Sequence, residues 1–431
     1  MSRTLFAVCA LVFAPTWSTA QTSTSSTRTQ ADPTRIAVSR DDAIRMALER
    51  SPRGAIARAD SAAAIANVLL ARQYENPTLS ASYSKSEPQV HFSLDIPFDW
   101  PSLRQSRVAA ASSGVAANSL RTAYGRAVLA LDVDTAYTRA QALSARSMLT
   151  TRSAVGGDSL LTIARLRRDA GDASDLDVEL ARVFAGQSAN AASNDSLSAL
   201  SARMVLQSLI GLSADSAHIV LSETMALSDS GAAFTSNASS STAMNTVSGG
   251  PTFNSLSTIV AAAERDAEAA SYRVLVEQRR RIALPSLSVG FETVNSSPSG
   301  ILPTIGLALP FPLFNRNFAS IQVAQAELAR ARANVAFVRL DQANALASAQ
   351  RDATAARARL ARSAGLVASA NRVSALSLIA YREGATPLTS ALDAQRSARE
   401  VLSQYVDDIA TARIAESVLR LFSLTTVVPA K

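Results

Sequence analysis

Few side chains in this sequence have the type and the spacing that catalysis or metal binding requires. The two histidines, His91 and His218, lie in unrelated contexts, and the one cysteine, Cys9, lies within an apolar N-terminal stretch. The acidic residues of segment 264–268 share a predicted helix and are more simply explained as a solvated face. There is no cluster of His, Asp and Glu at ligand spacing, no glycine-rich phosphate loop and no nucleophile elbow. The sequence therefore predicts no enzyme, no cofactor and no metal site.

The composition favours packed helices and does not indicate a nucleic-acid binder. The chain has 431 residues, enough for two domains or one elongated domain, and alanine dominates the 48% that are apolar. Aromatic residues make up only 5%, a composition that suits helices packed closely along their length. The net charge is +7, but the longest basic block is Arg279–Arg281 and acidic residues are interspersed. We therefore expect no nucleic-acid interface.

The N-terminus has the pattern of a secretory signal peptide over residues 1–20. Arg3 precedes a short apolar run, Leu5–Ala14, and Ser18–Ala20 supplies the small residues of a cleavage site. The residue before Cys9 is not small, which argues against a lipid anchor. The mature chain would then contain no cysteine, and no later segment has eighteen consecutive apolar residues. We expect an exported protein that enters a membrane only as strands.

Beyond the leader, the sequence predicts two similar halves. We expect a disordered segment at 21–38, a first repeat at 39–221, a Ser/Thr/Gly-rich linker at 222–251, a second repeat at 252–424 and a tail at 425–431.

Each half has the same order of predicted elements: a helix, a pair of strands, a long helix, a glycine break and a second helix. The alternation of apolar and polar residues predicts strands at about 78–84 and 89–96 in the first half. In the second half the strands are expected at about 286–293 and 303–309. The Pro-Phe pair after each strand pair and the glycine at each break recur at the same separation, which indicates an internal repeat.

The two long helices are too extended for a globular core, in which helices mostly have about 8 to 20 residues. The first is expected over 102–168 and would be about 100 Å long. In the second, 318–381, small apolar residues recur at alternating three- and four-residue steps from Ile321 to Val367. This spacing predicts coiled-coil-like packing. Gly171 and Gly384 end the helices at tips far from the strands.

The four predicted strands each have one apolar face and cannot seal a sheet alone. A membrane barrel needs about eight strands or more, so copies of the chain must pool their strands. Two copies would supply eight and three would supply twelve, and only the larger barrel leaves an obvious water-filled interior. The residues expected to face lipid are Leu79, Tyr83, Val90, Phe92, Leu94, Leu287, Val289, Phe291, Ile305 and Leu307.

Proline and aromatic residues mark both places where a strand is followed by a long helix. Proline ends a strand because it lacks the N–H donor that the sheet requires. The aromatic residues either lie at the membrane edge or plug the space between sheet and helices. These junction residues are Pro97, Phe98, Trp100, Pro310, Phe311 and Phe314.

This order of elements is similar to that of the TolC-type outer-membrane efflux channels. The segment ALERSPRGAIARAD, Ala47–Asp60, resembles the Ala-Leu-x-x-Asn-Pro start of that family, with Ser51 in place of Asn. The segment PFPLFNRN, Pro310–Asn317, resembles the CzcC-like branch, which pairs with heavy-metal efflux pumps. The resemblance covers essentially the whole mature chain, although the first-half counterpart, PFDWPSLR, departs from the family pattern.

The resemblance implies a mainly α fold with a small membrane β part. The protein would be a homotrimer whose twelve-stranded barrel lies in outer-membrane lipid, above a coiled-coil tunnel that extends into the periplasm. It would be a passive export duct for metal cations or small toxic compounds, with a periplasmic adaptor and an inner-membrane pump of the RND type as partners. A type I protein-secretion channel of the same fold is one alternative. A secreted coiled-coil fibre or sheath protein would explain the helices but not the strands.

The resemblance places closure of the tunnel and docking of the adaptor at the glycine tips. Charged residues there either form ion pairs that close the tunnel or are ordinary solvated turn charges. The candidate tip residues are Gly171, Gly384, Arg168, Asp169, Asp172, Arg382 and Glu383. At the other end, Arg72 and Arg279–Arg281 either meet lipid headgroups at the inner rim of the membrane or are solvated helix ends.

Overall fold

The computed structural model describes residues 36–85, 90–213, 219–223, 225, 255–282, 284–293, 300–310, 312, 314 and 316–423. The predicted leader, most of the predicted linker, the predicted tail, both strand-pair turns and Phe311 lie outside the described residues.

The described chain consists of seven helices and six strands, numbered in chain order. The helices are α1 (Arg40–Arg50), α2 (Pro52–Arg72), α3 (Pro101–Asp169), α4 (Asp175–Ile210), α5 (Ser255–Arg279), α6 (Phe318–Arg382) and α7 (Leu388–Ser423). The strands are β1 (Ile36–Val38), β2 (Thr78–Tyr83), β3 (Val90–Pro97), β4 (Ile219–Leu221), β5 (Ser286–Thr293) and β6 (Ile301–Ala308).

Side-chain caps fix where several helices begin. The Ser39 hydroxyl accepts from the backbone N–H of Asp42 at 3.2 Å, which starts α1. Ser51 ends α1 and caps α2, whose first residue is Pro52, a position where the missing N–H costs nothing. At the start of α4, Ser174 and Asp177 form a reciprocal capping box.

The helices pack along their length through small residues. All twelve residues of the apolar seam predicted in α6 are buried or half-buried: Ile321, Ala324, Leu328, Ala331, Val335, Val338, Ala345, Ala349, Ala353, Ala356, Leu360 and Val367. Between α3 and α4 the approach is closer still. A Cβ at Gly157 would lie 3.2 Å from the Cα of Ala185, so only glycine fits there without a shift.

The segment expected to be disordered ends in a strand. β1 pairs in parallel with β4. The last residue of β1, Val38, is fully buried and packs against residues of α3. The backbone N–H of Ser222 donates to Val38 O at 3.1 Å and continues the pairing. The expectation of disorder over 21–38 is therefore wrong for its last three residues.

A four-stranded antiparallel sheet has the order β2-β3-β5-β6. The four helices attached to these strands follow the same order, since α3 contacts α2 and α5, and α5 contacts α6. α4 packs on α3, and α7 packs on α6 and α3. The protomer is thus a wall with β2 and α2 at one lateral edge and β6 and α6 at the other.

Two helices have the length and mean hydropathy of a membrane span by composition alone. They are α2 and α6, the helices at the two lateral edges. None of the apolar window of α2 is buried, and only 17% of that of α6 is. A single protomer therefore leaves apolar surface uncovered at both edges.

Two buried tyrosines differ in what their hydroxyl groups contact. Tyr137 is 1% exposed and donates to Val38 O at 3.2 Å. Tyr381 is 2% exposed, and its hydroxyl has no hydrogen bond within the described part of the chain. Burial raises the pKa of both hydroxyl groups, because the charged phenolate would lose its hydration.

Tyr381→Phe should leave the unfolding temperature unchanged or raise it, because the substitution removes a buried hydroxyl that has no protein partner. Tyr137→Phe, the same change at a bonded hydroxyl, should lower the free energy of unfolding by about 1 kcal/mol. Thermal unfolding followed by far-UV circular dichroism measures both. Equal losses in the two variants would contradict the difference in their contacts.

The substitution Tyr381→Phe should also change how the stability of the protein depends on pH. The stability that a neutral buried Tyr381 contributes is complete below the ordinary tyrosine pKa of about 10, and it is lost as the pH rises through the raised folded value. Tyr381→Phe should therefore lose less stability than the wild type between about pH 9 and 11.

Candidate functional site

The predicted site residues fall into two groups at opposite ends of α3 and α6. The sheet and its junctions, called here the sheet end, lie where these helices begin, and the glycine breaks, the tip end, lie where they stop. Helices of 69 and 65 residues separate the two groups by about 100 Å at about 1.5 Å per residue. The two ends are therefore separate sites.

One face of the sheet is apolar across all four strands. Residues directly opposite one another in neighbouring strands share a face, so the register gives the faces directly. One row across the sheet consists of Leu79, Leu94, Val289 and Ile305. All ten residues expected to face lipid lie on this face: Leu79, Tyr83, Val90, Phe92, Leu94, Leu287, Val289, Phe291, Ile305 and Leu307.

This apolar face is uncovered in the protomer. Ile305 is 80% exposed and Leu307 73% exposed, values far from those of core residues. At the centre of the face, the rings of Phe92 and Phe291 stack with centroids 5.0 Å apart. An apolar surface of this extent marks a contact with lipid or protein.

The opposite face carries small polar residues and one contact between a histidine and a carboxylate. The hydroxyl groups of Ser80 and Ser93 lie 2.7 Å apart across β2 and β3. His91 Nδ1 lies 3.1 Å from Glu292 Oε1 across β3 and β5. Sequence analysis did not find this contact, because it depends on the register of strands from different halves of the chain.

At the first junction, the chain leaves the sheet and enters α3 within four residues. The N–H of Phe98 donates to Pro285 O at 2.8 Å, the last bond beside the sheet. Pro101 is the first residue of α3, where its ring favours the helical backbone. Asp99, almost fully buried, forms an ion pair with Arg107 one turn into the helix.

At the second junction, a left-handed residue makes the same change of direction. Asn317 has φ of 58° and caps α6, and its side-chain amide donates to Glu277 O at 2.8 Å. The predicted junction aromatics Phe98, Trp100 and Phe314 are all exposed, Phe314 completely so. Pro97 ends β3, and Pro310 follows β6 in an exposed position.

At the tip end, Gly171 and Gly384 end their helices by the same backbone motif. Gly171 has φ of +86° and Gly384 has φ of +77°, a region that glycine enters without strain. In the first tip, Gly171 N donates to Arg168 O at 2.9 Å and Asp172 N donates to Arg167 O at 2.8 Å. The second tip repeats both bonds, so each is a Schellman motif.

One arginine joins the two tips. Arg167 Nη1 donates to the backbone oxygen of Tyr381 at 2.8 Å, and its guanidinium lies 5.0 Å from the centroid of the Tyr381 ring. Tyr381 packs in turn into an apolar cluster with Leu160, Phe184 and Leu388. The two tips of one protomer are therefore held as a unit.

The predicted tip charges divide into paired and unpaired groups. Arg168 contacts Asp169 at 2.6 Å and Asp175 at 3.7 Å, all within the first tip. Asp172, Arg382 and Glu383 are exposed and form no ion pair within the described residues. These three charges are free to contact another chain.

A buried ion pair that sequence analysis missed connects the N-terminal segment to the long helices. Asp134 of α3 is 1% exposed and binds the guanidinium of Arg40, with Nη2 and Oδ2 at 2.6 Å. Arg40 also donates to Ser417 of α7 at 3.4 Å. No local pattern relates residues so far apart in the sequence.

Known proteins resemble this chain in sequence and in fold. No model of a known protein family matches the chain. The nickel-cobalt-cadmium resistance protein NccC of Alcaligenes xylosoxydans xylosoxydans is 27% identical over 311 residues, which are 69% of this chain. The match spans 66% of that relative, just under two thirds of its length.

Two solved structures superpose over most of the chain. The outer membrane protein VceC of Vibrio cholerae is 18% identical with a TM-score of 0.72, covering 90% of this chain and 96% of that one. The CmeC outer membrane channel of Campylobacter jejuni is 13% identical with a TM-score of 0.72, covering 90% and 86%. With its mainly helical wall, its small apolar-faced sheet and its paired helical tips, the chain has the fold of the TolC-type outer-membrane efflux channels.

Proposed function

We propose that the protein is the outer-membrane channel of a tripartite efflux system, a homotrimer with a twelve-stranded barrel and a tunnel that crosses the periplasm. The observation that carries this proposal is the four-stranded sheet. Its apolar face continues across every strand, and its edge strands β2 and β6 have no further strand partner within the described residues. Backbone groups at the edge of a sheet cannot remain unpaired in lipid.

The edges of the protomer are suited to closure by copies of itself. Alternate strands run in opposite directions, so β2 of one copy would be antiparallel to β6 of the next, as a barrel requires. Below the sheet, the apolar residues left exposed on α2 and α6 lie at the same two edges. Examples are Leu70 of α2, 64% exposed, and Phe337 of α6, 65% exposed. Sheet and helices would therefore be covered by the same neighbour.

Three copies fit the proposal better than two. Twelve strands leave room for a water-filled interior lined by the polar face, which carries the contact between His91 and Glu292. Both halves contain a helix, a strand pair, a long helix and a further helix, in the orders α2-β2-β3-α3-α4 and α5-β5-β6-α6-α7. This shared order and the identical motifs at Gly171 and Gly384 support an internal repeat that would give the trimer a pseudo-sixfold wall.

Cysteines placed on the two edge strands should cross-link neighbouring copies. Ser80→Cys combined in turn with Leu302→Cys, Thr304→Cys or Gly306→Cys should give covalent dimers and trimers on denaturing gels after oxidation, reversed by reductant. Within one protomer β2 and β6 are three strand spacings apart, about 14 Å, too far for a disulfide. Each single variant is the control. Monomers alone in all three pairs would contradict the barrel.

The relationship to a nickel-cobalt-cadmium resistance protein supports divalent metal cations as the cargo. Among the described residues there is no group of three His, Cys, Asp or Glu side chains that could hold a metal ion. Cations would therefore pass through the duct without tight binding. An inner-membrane pump of the RND type and a periplasmic adaptor would supply the energy and the selectivity.

Deletion of the gene should sensitise the source cell to nickel, cobalt or cadmium, and the wild-type gene should restore growth. Resistance to organic antibiotics should change less, and its loss alone would point to drugs as the cargo. Growth over a concentration series of each metal salt and antibiotic measures both. Unchanged growth with every compound would contradict an efflux role.

The tip end is the proposed gate and adaptor-docking site. Asp172, Arg382 and Glu383 are exposed and unpaired in the described protomer, which supports ion pairs between neighbouring copies at the closed tunnel mouth. The paired residues Arg168 and Asp169 would instead hold the shape of the first tip.

Asp172→Arg and Arg382→Glu should each raise the single-channel conductance in planar bilayers, because each replaces an attraction between copies by a repulsion. The double variant exchanges the two charges and should return the conductance toward the wild-type value. If neither single variant changes conductance, these residues are not part of the gate.

A further inference from the structure

We propose that a band of arginines at the boundary between the sheet and the helices binds the headgroup phosphates of anionic phospholipids. The inference rests on the proposed membrane insertion of the sheet. Its members, called here the arginine band, are Arg72, Arg104, Arg279, Arg281 and Arg316.

The band is continuous because every helix attached to the sheet contributes to it. Arg72 is the last residue of α2, and Arg104 lies in the first turn of α3. Arg279 is the last residue of α5 and Arg281 follows it, while Arg316 lies just before α6. The four helices follow the order of the strands, so these arginines run along the whole lower edge of the apolar sheet.

The charge at this level is not balanced by carboxylates. The boundary segments 72–75, 99–107, 277–281 and 316 contain seven arginines, namely the band with Arg107 and Arg280, and three carboxylates, Glu75, Asp99 and Glu277. Arg107 forms an ion pair with Asp99, and Arg280 Nη1 lies 2.8 Å from Glu277 Oε1. The excess of four positive charges is more than half of the net +7 of the chain, so the basic character of the protein is concentrated here.

The band members that form hydrogen bonds within the protomer use neutral partners. Arg104 donates to Arg72 O at 2.9 Å and to Tyr74 Oη at 2.9 Å. Arg279 donates to Ser102 O and to the hydroxyl of Ser106. No band member forms an ion pair with a carboxylate within the described residues, so each retains a charge that an external anion can neutralise.

Two band members lie on exposed aromatic rings. The guanidinium of Arg104 is 4.3 Å from the ring centroid of Tyr74, and that of Arg281 is 5.2 Å from the ring centroid of Phe318. Both rings are more than half exposed. Stacking holds the guanidinium plane and leaves N–H groups at its edge, the geometry that binds phosphate oxygens.

The surroundings identify a lipid as the source of the phosphate. The band directly adjoins the uncovered apolar face of the sheet, and the exposed aromatics Phe98, Trp100 and Phe314 lie at the same level. Aromatic residues beside basic ones are typical of the membrane–water interface. A soluble phosphate would use the charge but not the apolar and aromatic surface.

Quenching of Trp100 by brominated lipids tests the proposal. Once the predicted leader, which contains Trp17, is removed, Trp100 is the one tryptophan of the sequence, and it lies at the level of the band. The protein is reconstituted into vesicles of phosphatidylcholine with increasing fractions of brominated phosphatidylglycerol, and separately of brominated phosphatidylcholine. In wild-type protein, phosphatidylglycerol should quench with an apparent relative affinity at least fivefold above phosphatidylcholine, the ratio expected for one such arginine.

The variant Arg72→Gln/Arg281→Gln/Arg316→Gln should bring the ratio close to one. The guanidinium groups of these residues form no hydrogen bond with other described residues, and the substitutions leave their backbone bonds in place, so the variant should fold and form trimers. The control Arg351→Gln/Arg362→Gln removes two exposed arginines about 50 Å or more along α6 and should keep the wild-type ratio. Millimolar inorganic phosphate should not reverse the preference, and reversal would assign the band to free phosphate.

The outcomes separate this inference from the proposed function. Quenching by both lipids with a ratio near one in the wild type would overturn the arginine band and leave the channel intact. A wild-type protein that stays out of the vesicles, with no quenching by either lipid, would overturn the membrane insertion on which both rest.

Discussion

The structure depends on the unpaired backbone groups at the two edges of a four-stranded sheet. In water these groups would bind solvent, but in a bilayer each unsatisfied N–H or C=O costs several kcal/mol. In the proposed barrel the apolar face of the sheet contacts lipid while its edges cannot, and the two conditions are met together only when neighbouring chains join the strands. The exposed apolar surfaces of α2 and α6 follow from the same condition, because the helices continue the order of the strands.

The long helices connect the sheet end to the tip end over about 100 Å. They pack closely because their contacts are made by small side chains, such as the alanines of the seams, and by Gly157. The contact of Arg167 with the backbone and ring of Tyr381 then ties the two tips of a protomer together. The two tips of a protomer are therefore linked, which fits the gate proposed for the tip end.

Much of this architecture could be predicted from the sequence because its signals are local. Period-two alternation gave the four strands to within about two residues, and the apolar steps from Ile321 to Val367 gave the buried seam of α6. Both tip glycines have the left-handed backbone that a helix break requires.

What the sequence could not predict depends on contacts between distant segments. β1 has three residues, too few for a periodic pattern, and it is defined only by its parallel partner β4. The pairing of His91 with Glu292 and that of Arg40 with Asp134 require strand register and helix packing across 201 and 94 residues.

The parallel pairing of Ile36 with Ile219 also constrains the order of assembly. A chain threaded through a membrane from its N-terminus delivers β1 first, yet its partner follows more than 180 residues later. Closing so long a loop is entropically costly and slow, so β1 must wait while α3 and α4 form beside it. The pairing of β1 with β4 is thus among the last contacts of the first half to form, and it then holds the start of the described chain against α3.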